Sequence, residues 1–562
     1  MRTVLVVLTA SAFALTLGAQ AIPPFSIVEA DIAAMRAALE QRRVTSRELV
    51  QQSLTRIALY EDQVNAVITV NRRALDEADA RDRERASGRV RGPLHGIPIA
   101  LKDNIHTVDL PTTGGALAFE ELVPPYEATL TRNLRDAGAI IIAKTQMTEL
   151  ANWVTVGMPG NYNSLTGYGV NPYDPRRDPR PMTADGRPVL TPGGSSSGVG
   201  TALSFWAANV GTETSGSILV PANQNMLVAI KPTVGRVSRY GVIPITADQD
   251  TAGPMTRSVA DAAIMLGVLE AAARDPQDPA TGACTPPAGR DYTPFLDRGA
   301  LEGARIGIPR AFFYDPVTPP GASEPRGGLN AGQRTAMNEA IAVLSARGAV
   351  IVDPADIPSV VDRDPATNFT LWNSCAGLDS GKGKDAACSI VFKYGMKRDF
   401  NAWLASLGET VPVKSLAELR RWNIDHERAG TLKYRQENLD ISDEVDLEGD
   451  RARYEADRRK DVLLSAAHGI DEALTLHKLD ALLFPGAVGA AIAARPGYPT
   501  VTVPFALIPN APQPPFPVGF NAHPAPFGVS FAGTACSEPR LIALAYAFEQ
   551  ATRRRVPPPL FP

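Results

Sequence analysis

Apolar and polar positions in the first quarter of the chain predict a helix, then a second helix that leads into a strand. Residues 44–63, VTSRELVQQSLTRIALYEDQ, carry apolar side chains at helical spacing after a capping box formed by Thr45 and Glu48. Residues 129–145, TLTRNLRDAGAIIIAKT, predict a helix, a glycine and a buried strand over 139–143. An apolar strand directly after a helix is typical of parallel α/β architecture.

A second strand is predicted over 95–104, HGIPIALKDN, and it brings a lysine to its end. Alternate residues of this segment, Ile97, Ile99 and Leu101, form one apolar side, and Lys102 follows them. Burial at a strand end lowers the pKa of a lysine and makes the neutral amine available as a base. The alternative is a surface lysine whose stem covers apolar surface while its head stays in water.

The middle of the chain alternates loops with short regular segments. A Pro-, Asp- and Arg-rich loop over 171–192 precedes a helix predicted over 197–208. A strand-like step over 209–212 then leads to a Gly–Ser turn, 216–217.

The pattern of apolar and polar residues changes near residue 286. Its predicted elements are a strand from 305, a helix over 332–347, a strand over 348–354, a polar helical region over 389–476, strands within 479–486 and 498–507, and a last helix over 538–554. We find no internal repeat. The pattern predicts one domain over 22–562, with a core of about 60–270 and 470–562 and a mostly helical insertion of about 290–465.

Composition excludes some partners and suggests a compartment. Of the 562 residues 44% are hydrophobic, and the net charge of −4 gives no sign of a basic surface, so no nucleic-acid partner is expected.

Residues 1–21 have the form of a signal peptide: Arg2, an apolar stretch over 4–17 and a small-x-small site ending at Ala21. A membrane anchor is the alternative, but the stretch is short for a span. We therefore expect an exported protein, periplasmic or extracellular, without a membrane span when mature.

The cysteines allow disulfides but give no metal-binding pattern. Cys375 and Cys388 bracket a polar, glycine-containing loop, and an exported chain can oxidise them. A Cys375–Cys388 disulfide is one interpretation; four small buried side chains, with Cys284 and Cys536 included, is the other. No CxxC pair is present, so no zinc site is predicted.

Residues 193–221, GGSSSGVGTALSFWAANVGTETSGSILVP, contain one charge, Glu213, and two Gly–Ser turns. The order Gly194-Ser195-Ser196-Ser197-Gly198 fits a nucleophile elbow, with Ser196 as nucleophile and a downstream histidine as base: His426, His468, His477 or His523. The preceding residues, 187–194, make a poor strand for such an elbow. A phosphate-binding loop would need a Gly-Lys-Ser/Thr ending, which is missing. A glycine–serine loop without chemistry is the remaining alternative.

The chain resembles the amidase signature family over about 27–557, and within it the bacterial peptide-amidase-like branch. The motifs that carry the resemblance are GIPIALKDNI, AKTQMTELANW, TPGGSSSG, GTETSGSILVPANQNMLVAIKPTVGRVSRYGVIP, DQDTAGPMTRSVADAA and YPTVTVP with LAYAFEQAT. The resemblance implies an α/β amidase-signature fold in which helices cover both faces of a mixed central β-sheet.

The resemblance also implies a Ser–cis-Ser–Lys triad. Lys102 would be the base, Ser195 the bridging serine after a cis Gly194 peptide bond, and Ser217 the nucleophile. The oxyanion hole would be formed by backbone N–H groups of the second Gly–Ser turn: Thr214, Ser215, Gly216 and Ser217. Ser196 would hold Lys102 through its hydroxyl, and the reaction would need neither a metal nor an organic cofactor.

Two departures from the family pattern affect this assignment. Ser195 and Ser217 are 22 positions apart, whereas 24 is usual in the family, and Ser196 is the alternative bridging serine. Leu219 also stands where many members have an arginine.

The implied activity is hydrolysis of carboxylic amides through an acyl-enzyme, with a small molecule or a peptide amide as substrate. The resemblance places the pocket walls in 146–163 and 486–528, with Trp153, Met158, Tyr162, Phe505, Phe516 and Phe520 as candidate lining side chains. Esters and carbamates are not separated from amides by the sequence, which also leaves the oligomeric state open. A non-catalytic binding protein on the same fold is the alternative from another class. A role as the subunit that acts on charged tRNA conflicts with export.

Overall fold

The structure is a computed structural model that describes residues 24–562. The predicted signal peptide, 1–21, lies outside the described residues.

The strands fall into one large sheet and two small pairs. They are β1 Val67–Val70, β2 Pro98–Lys102, β3 Ile140–Thr145, β4 Tyr162–Asn163, β5 Gly167–Tyr168, β6 Ala208–Glu213, β7 Val228–Lys231, β8 Thr251–Thr256, β9 Arg305–Gly307, β10 Val350–Val352, β11 Asn373–Ser374, β12 Cys388–Ser389, β13 Ala481–Pro485, β14 Thr500–Ile508 and β15 Ala525–Ala532.

The α-helices are α1 Ile32–Glu40, α2 Ser46–Val64, α3 Ala74–Ala86, α4 Thr129–Asp136, α5 Val199–Ala202, α6 Leu219–Gln224, α7 Val259–Leu269, α8 Ala331–Ala346, α9 Pro358–Val361, α10 Val391–Ser406, α11 Leu416–Asp425, α12 Glu437–Asp443, α13 Arg451–Val462, α14 Asp471–His477, α15 Ala490–Ala494 and α16 Glu538–Thr552. A π-helical stretch, Leu463–Ile470, joins α13 to α14.

The central sheet has 11 strands in the order β1-β3-β2-β6-β8-β7-β14-β15-β13-β9-β10. The neighbours β3, β2 and β6 run parallel, as do β13, β9 and β10, while the strands between these two groups pair antiparallel. The sheet is therefore mixed, as the family resemblance implied.

Alternate residues of the strands enter hydrophobic clusters on opposite faces of the sheet. Ile99 and Leu101 of β2 pack in a cluster with α1, α4, α7 and α16, whereas Ala100 packs in another with α2 and α3. In β7, Val228 and Ile230 belong to the first cluster, and Ala229 packs with residues of α5 and α6. Since the strand period is two, this division places helices on both faces.

The helix predicted over 197–208 is wrong in extent, because α5 has only four residues. The chain turns at Ser204, which adopts φ +54°, and the N–H of Phe205 donates to the carbonyl of Gly200. This is the bond pattern of a Schellman C-cap, with serine where glycine is usual, so the sequence carried no stop signal. The capping box of Thr45 and Glu48, in contrast, is confirmed at the start of α2.

The range 290–465, predicted as a mostly helical insertion, includes two strands of the central sheet. The strands β9 and β10, within the range 290–465, extend the edge of the central sheet beside β13. β9 pairs with β13, and β10 pairs with β9. The sequence predicts these strands but not the strands with which they pair. The mostly helical region begins only after β10, and α10 packs there on the segment 149–158 through a second core that includes Trp153, Phe392 and Phe400.

The four cysteines form two disulfides. Cys375–Cys388 is the predicted pair, with a Cα–Cα distance of 5.1 Å, and that prediction is confirmed. Cys284–Cys536 joins the segment after α7 to the segment before α16 across a sequence separation of 252. Within 24–562, no helix has the length and apolar character needed to cross a membrane.

Candidate active site

The predicted lysine and the second Gly–Ser turn lie at one edge of the central sheet. Lys102 is the last residue of β2, and Glu213 is the last residue of the adjacent parallel strand β6. Because the carboxyl ends of parallel neighbours meet at the same edge, the turn over 214–217 starts beside Lys102. This is the edge at which ligands bind in many open α/β sheets.

Lys102 is fully buried and hydrogen-bonds hydroxyl and carbonyl oxygens. Its Nζ lies 2.7 Å from Ser195 Oγ, 2.8 Å from Thr212 Oγ1 and 3.2 Å from Thr212 O. Asn104 Nδ2 donates to the same Thr212 hydroxyl at 3.0 Å. Two of the three contacts can accept the N–H bonds of a neutral amine, which leaves the lone pair for the Ser195 hydroxyl.

Burial lowers the pKa of Lys102 to about 7, and the negative charges of Asp250 and Glu213 oppose that shift. Within residues 24–562, no carboxylate forms an ion pair with Lys102. A substantial neutral fraction therefore exists near neutral pH, as a general base requires.

Ser195 follows two glycines with left-handed backbone, Gly193 at φ +81° and Gly194 at φ +53°. The cis bond expected before Ser195 is not observed: in the described part of the chain, cis peptide bonds precede Pro354 and Pro514. Glycine adopts this left-handed backbone more readily than other residues.

Ser196 does not hold Lys102 directly, which corrects the role implied for it. Its hydroxyl lies 3.1 Å from the carbonyl oxygen of Thr212 and accepts from the N–H of Thr212 at 3.2 Å. It therefore fixes the residue that holds Lys102.

The structure does not support a nucleophile elbow at Ser196. Residues 189–194 form no strand, and Ser196 is fully buried. The hydrogen bonds recorded within 24–562 join none of the four candidate histidines to it; His468, for example, bonds Asp362 and Glu472.

Ser217 lies against the first Gly–Ser turn, which comprises residues 193–196. Its carbonyl accepts from the N–H of Ser196 at 3.2 Å, and a Cβ built on Gly194 would lie 3.3 Å from the Ser217 Cα. Ser217 has 9% of its surface exposed, whereas Ser195 has none. Its hydroxyl forms no hydrogen bond with any described residue, and a small part of the residue is open to solvent.

The turn over 214–217 leaves backbone donors unused. The N–H groups of Thr214, Ser215, Gly216 and Ser217 donate to no described residue. Gly216 has φ +91°, which directs successive N–H groups to one side. Free donors beside a serine hydroxyl are what an oxyanion hole requires.

The buried carboxylate of Glu213 holds the end of this turn. Its Oε2 accepts from the N–H groups of Ile218 at 2.7 Å and Leu219 at 3.0 Å, at the start of α6. A second buried carboxylate, Asp250, accepts from Thr214 Oγ1 at 2.5 Å, and burial raises the pKa of Asp250 to about 7. The turn is therefore fixed at both sides while its N–H groups stay free.

The side chains suggested for the pocket do not form one wall. Phe505 is fully buried in the main core beside Phe548, so its assignment to a pocket is wrong. Trp153, Met158 and Tyr162 are buried in the second core. Ser215 is exposed, although its chain neighbours are buried, and it is the side chain of the turn that faces solvent.

The sequence reading missed three groups of contacts: Thr212 with Asn104 at Lys102, Glu213 and Asp250 at the turn, and Thr148 with Asn161 at the first Gly–Ser turn. Glu213 had a signal, as the one charge in a glycine- and serine-rich stretch. Thr148 and Asn161 had none, because ordinary polar residues acquire a role only when the fold brings them to the turn.

Comparisons with known proteins agree with this geometry. The family model described as Amidase matches residues 48–542. An Arabidopsis thaliana protein named a probable amidase is 32% identical over 545 residues, which cover 95% of this chain and 92% of that protein.

Two similar solved structures are peptide amidases. Native peptide amidase from Stenotrophomonas maltophilia has a TM-score of 0.78 at 36% identity, covering 94% of this chain and 98% of its own. A structure of the peptide amidase PAM in complex with the competitive inhibitor chymostatin has the same TM-score and identity, and covers 94% and 99%. The chain therefore belongs to the amidase signature family and is a hydrolase that acts on amide C–N bonds.

Proposed function

We propose that this chain is an exported amidase that cleaves peptide amides through an acyl-enzyme on Ser217, with Ser195 and Lys102 relaying the proton. The observation that carries the proposal is the 2.7 Å contact between Lys102 Nζ and Ser195 Oγ, fully buried and next to Ser217. Ser–Lys arrangements are recognised variants of the serine triad.

In the first step the neutral amine of Lys102 takes the proton of Ser195, and Ser195 takes the proton of Ser217. The Ser217 oxygen attacks the carbonyl carbon, and the carbonyl π electrons move to its oxygen. The free N–H groups of the turn 214–217 then donate to that oxyanion. The loss of one such donor typically costs about 10²–10³ in kcat.

In the second step the tetrahedral intermediate collapses and the C–N bond breaks. The proton on Lys102 returns to Ser195, and Ser195 protonates the departing nitrogen, which leaves as ammonia or an amine. A water molecule then attacks the acyl-enzyme by the same relay, and the carboxylic acid leaves. Each proton that Lys102 accepts is returned within one half-reaction, so the enzyme ends unchanged.

Two observations support a peptide amide as the substrate class. The similarity to peptide amidases spans 94% of this chain, and one of those structures holds a competitive inhibitor. Ser215 is exposed and Ala490 lies beside Gly216, so side chains at the turn are small where the substrate carbonyl would approach. Esters and carbamates carry the same reacting carbonyl and are expected as slower or artificial substrates.

Export rests on two features of the chain. Residues 1–21 have the form of a signal peptide, and both disulfides suit an oxidising compartment. Expression with the native N-terminus, followed by N-terminal sequencing of the periplasmic fraction, should find a chain that begins near Ile22. Intact residues 1–21 on cytoplasmic protein would contradict export without affecting the chemistry.

The nucleophile is tested by covalent labelling. A fluorophosphonate should add to the peptide that contains Ser217, and Ser217→Ala should remove both the adduct and the turnover of an N-acylated dipeptide amide. Free dipeptide amides, anilides, fatty amides and esters, tested in parallel, define the substrate class. An adduct on Ser196, or full turnover by Ser217→Ala, would overturn the proposed mechanism.

A further inference from the structure

The four backbone carbonyls of the first Gly–Ser turn, 193–196, face two residues from a distant part of the chain. The carbonyls of Gly193, Gly194 and Ser196 accept from Asn161, and that of Ser195 accepts from Thr148. In an ordinary surface turn such carbonyls would face water. Here the turn is held from outside along its whole length.

Thr148 holds the centre of the turn with two groups. Its backbone N–H donates to Ser195 O at 3.1 Å, and its hydroxyl donates to Gly194 O at 2.9 Å. Both ends of the Gly194–Ser195 peptide segment are thereby fixed. Ser196, the next residue of the turn, is held as well, because it forms an isolated antiparallel β-bridge with Met147, the residue before Thr148.

Asn161 holds the same turn with its side-chain amide. Nδ2 lies 3.1 Å from Ser196 O and 3.3 Å from both Gly193 O and Gly194 O. Its Oδ1 is buried without a hydrogen-bond partner among the described residues, so the side chain acts here only as a donor. The carbonyls around Nδ2 also define which end of the amide is nitrogen.

The two residues are themselves locked together. The N–H of Asn161 donates to Thr148 Oγ1 at 2.7 Å, and both residues are fully buried. Asn161 adopts φ +63°, a left-handed conformation that asparagine tolerates better than most residues. Gly160 permits the close approach, since a Cβ there would lie 3.0 Å from Gly194 O.

We propose that Thr148 and Asn161 are positioning residues that hold Ser195 against Lys102. The inference rests on the proposed function, in which Ser195 carries the proton between Lys102 and Ser217. Neither residue touches the reacting atoms. They act through the backbone of the turn, which sets where the Ser195 hydroxyl lies relative to the lysine.

The expected size of the effect follows from the geometry of the relay. Proton transfer through Ser195 needs hydrogen-bond contact on both sides, and a displacement of about 1 Å costs about 100-fold in rate. Substrate binding does not depend on the Ser195 hydroxyl, so KM should change little. A defect in positioning thus separates kcat from KM.

The test compares variants that preserve shape. Thr148→Val removes the hydroxyl at constant size, and Asn161→Asp replaces the amide donor while it tolerates the left-handed backbone. Each should lower kcat by about 100-fold with KM within about threefold. Thr148→Ser keeps the hydroxyl and should recover kcat to within about threefold of wild type.

Two further readouts separate positioning from folding. Active sites are counted by fluorophosphonate labelling taken to completion, so that kcat refers to competent molecules. Release of Ser195 also removes an acceptor from the Lys102 ammonium, so the acid limb of kcat/KM should move to lower pH in Thr148→Val. Thr201→Val is the matched control: its hydroxyl bonds Asn209 and Trp206, outside the turn, and its loss should affect the melting temperature only.

The outcomes distinguish the inference from the function on which it rests. If Thr148→Val and Asn161→Asp keep kcat per titrated site within threefold while Ser217→Ala is inactive, the positioning role is wrong and the mechanism stands. A loss of titratable sites with unchanged kcat and pH profile would show a merely structural role and overturn it too. If wild type turns over no amide, or Ser217→Ala keeps its rate, the proposed function itself fails.

Discussion

Two buried lysines lie on neighbouring strands of the central sheet and have different surroundings. In the register of β2 and β3, Leu101 pairs with Lys144 and Lys102 pairs with Thr145. Both ammonium groups are fully removed from water, and burial lowers the pKa of each. Burial therefore does not by itself mark one of them as a catalytic base.

Their partners make the difference. Lys144 Nζ lies 3.2 Å from Asp103 Oδ1, 2.8 Å from Thr112 Oγ1 and 3.0 Å from Pro111 O. Burial raises the pKa of Asp103, and the charge of Lys144 opposes that shift. Lys102, in contrast, is surrounded by hydroxyl and carbonyl oxygens of Ser195 and Thr212.

The partners of a buried lysine determine whether it can act as a base. A carboxylate in contact favours the charged form of a buried lysine, and the ion pair then contributes to the structure. Hydroxyl partners stabilise the charge less and allow the proton to leave near neutral pH. A base in this site is thus defined by the missing carboxylate as much as by the lysine.

The largest expected effect is the loss of activity in Lys102→Met. Neither Ser195 nor Ser217 can then lose its proton, so kcat should fall by about 10³-fold or more, while the circular dichroism spectrum stays that of wild type. Steady-state kinetics on a dipeptide amide measure it.

His468→Gln serves as the control for Lys102→Met, because this histidine lies between Asp362 and Glu472, away from the triad. Near wild-type turnover by Lys102→Met, with an inactive histidine variant, would reverse the assignment of the base.

Lys144→Met should affect stability instead. It leaves Asp103 buried without its partner, and breaking a buried pair in this way costs about 3–5 kcal/mol in the free energy of unfolding. The deficit should shrink at acidic pH, since protonation removes the charge of Asp103. Urea unfolding at pH 5 and pH 8 measures both effects.

A second substitution tests the cause of that deficit. Lys144→Met with Asp103→Asn removes both charges and should recover much of the lost stability. Equal instability of the single and double variants would mean that packing of the lysine stem, not the unpaired carboxylate, dominates.

Much of the fold could be predicted because its signals are local. The capping box before Ser46, the alternation that ends at Lys102 and the apolar runs of β13 and β14 each depend on neighbours in the sequence. The early end of α5 and the positions of β9 and β10 in the central sheet were not predictable, although strands were expected at both places. The first depends on a left-handed Ser204, and the others on a sheet edge supplied by β13.

The residues of the site that belong to sequence motifs could be predicted. The serine and lysine positions follow from the family resemblance, and the structure brings Lys102 to Ser195. Thr212, the partner of Lys102, is 110 positions from it in the sequence, whereas Thr112 and Asp103, the partners of Lys144, are 32 and 41 positions from that lysine. Spacing alone could therefore not rank the two lysines. The expected cis bond and the role of Ser196 failed because both depend on how the glycine turn packs.

A carboxylate introduced at Lys102 would sharpen the comparison by imitating Lys144. Thr212→Asp places an acid where the hydroxyl now lies 2.8 Å from Nζ. An opposite charge at this range raises a lysine pKa by about 1–3 units, so the acid limb of kcat/KM should move up from near pH 7 by that amount.

Thr212→Asn is the control for Thr212→Asp, since it has similar size without the charge. Its acid limb should stay near that of wild type, even if the plateau rate falls. Equal limbs for the two variants would show that charge at this position does not set the protonation of the base.

A pH-dependent gain of stability is also expected in Lys102→Met. Burial lowers the pKa of Lys102 from 10.5 to about 7 in the folded protein, so between these values the unfolded chain binds more protons and the free energy of unfolding rises with pH. Below pH 7 the wild type bears the full cost of a buried ammonium, about 1.4 kcal/mol per unit of pKa difference at most. Lys102→Met removes that cost. Its melting temperature should exceed that of wild type most at pH 6, and the gap should narrow toward pH 9. A gap that is constant across this range would mean that the folded protein does not depress the pKa of Lys102, and the contrast with Lys144 would then need another cause.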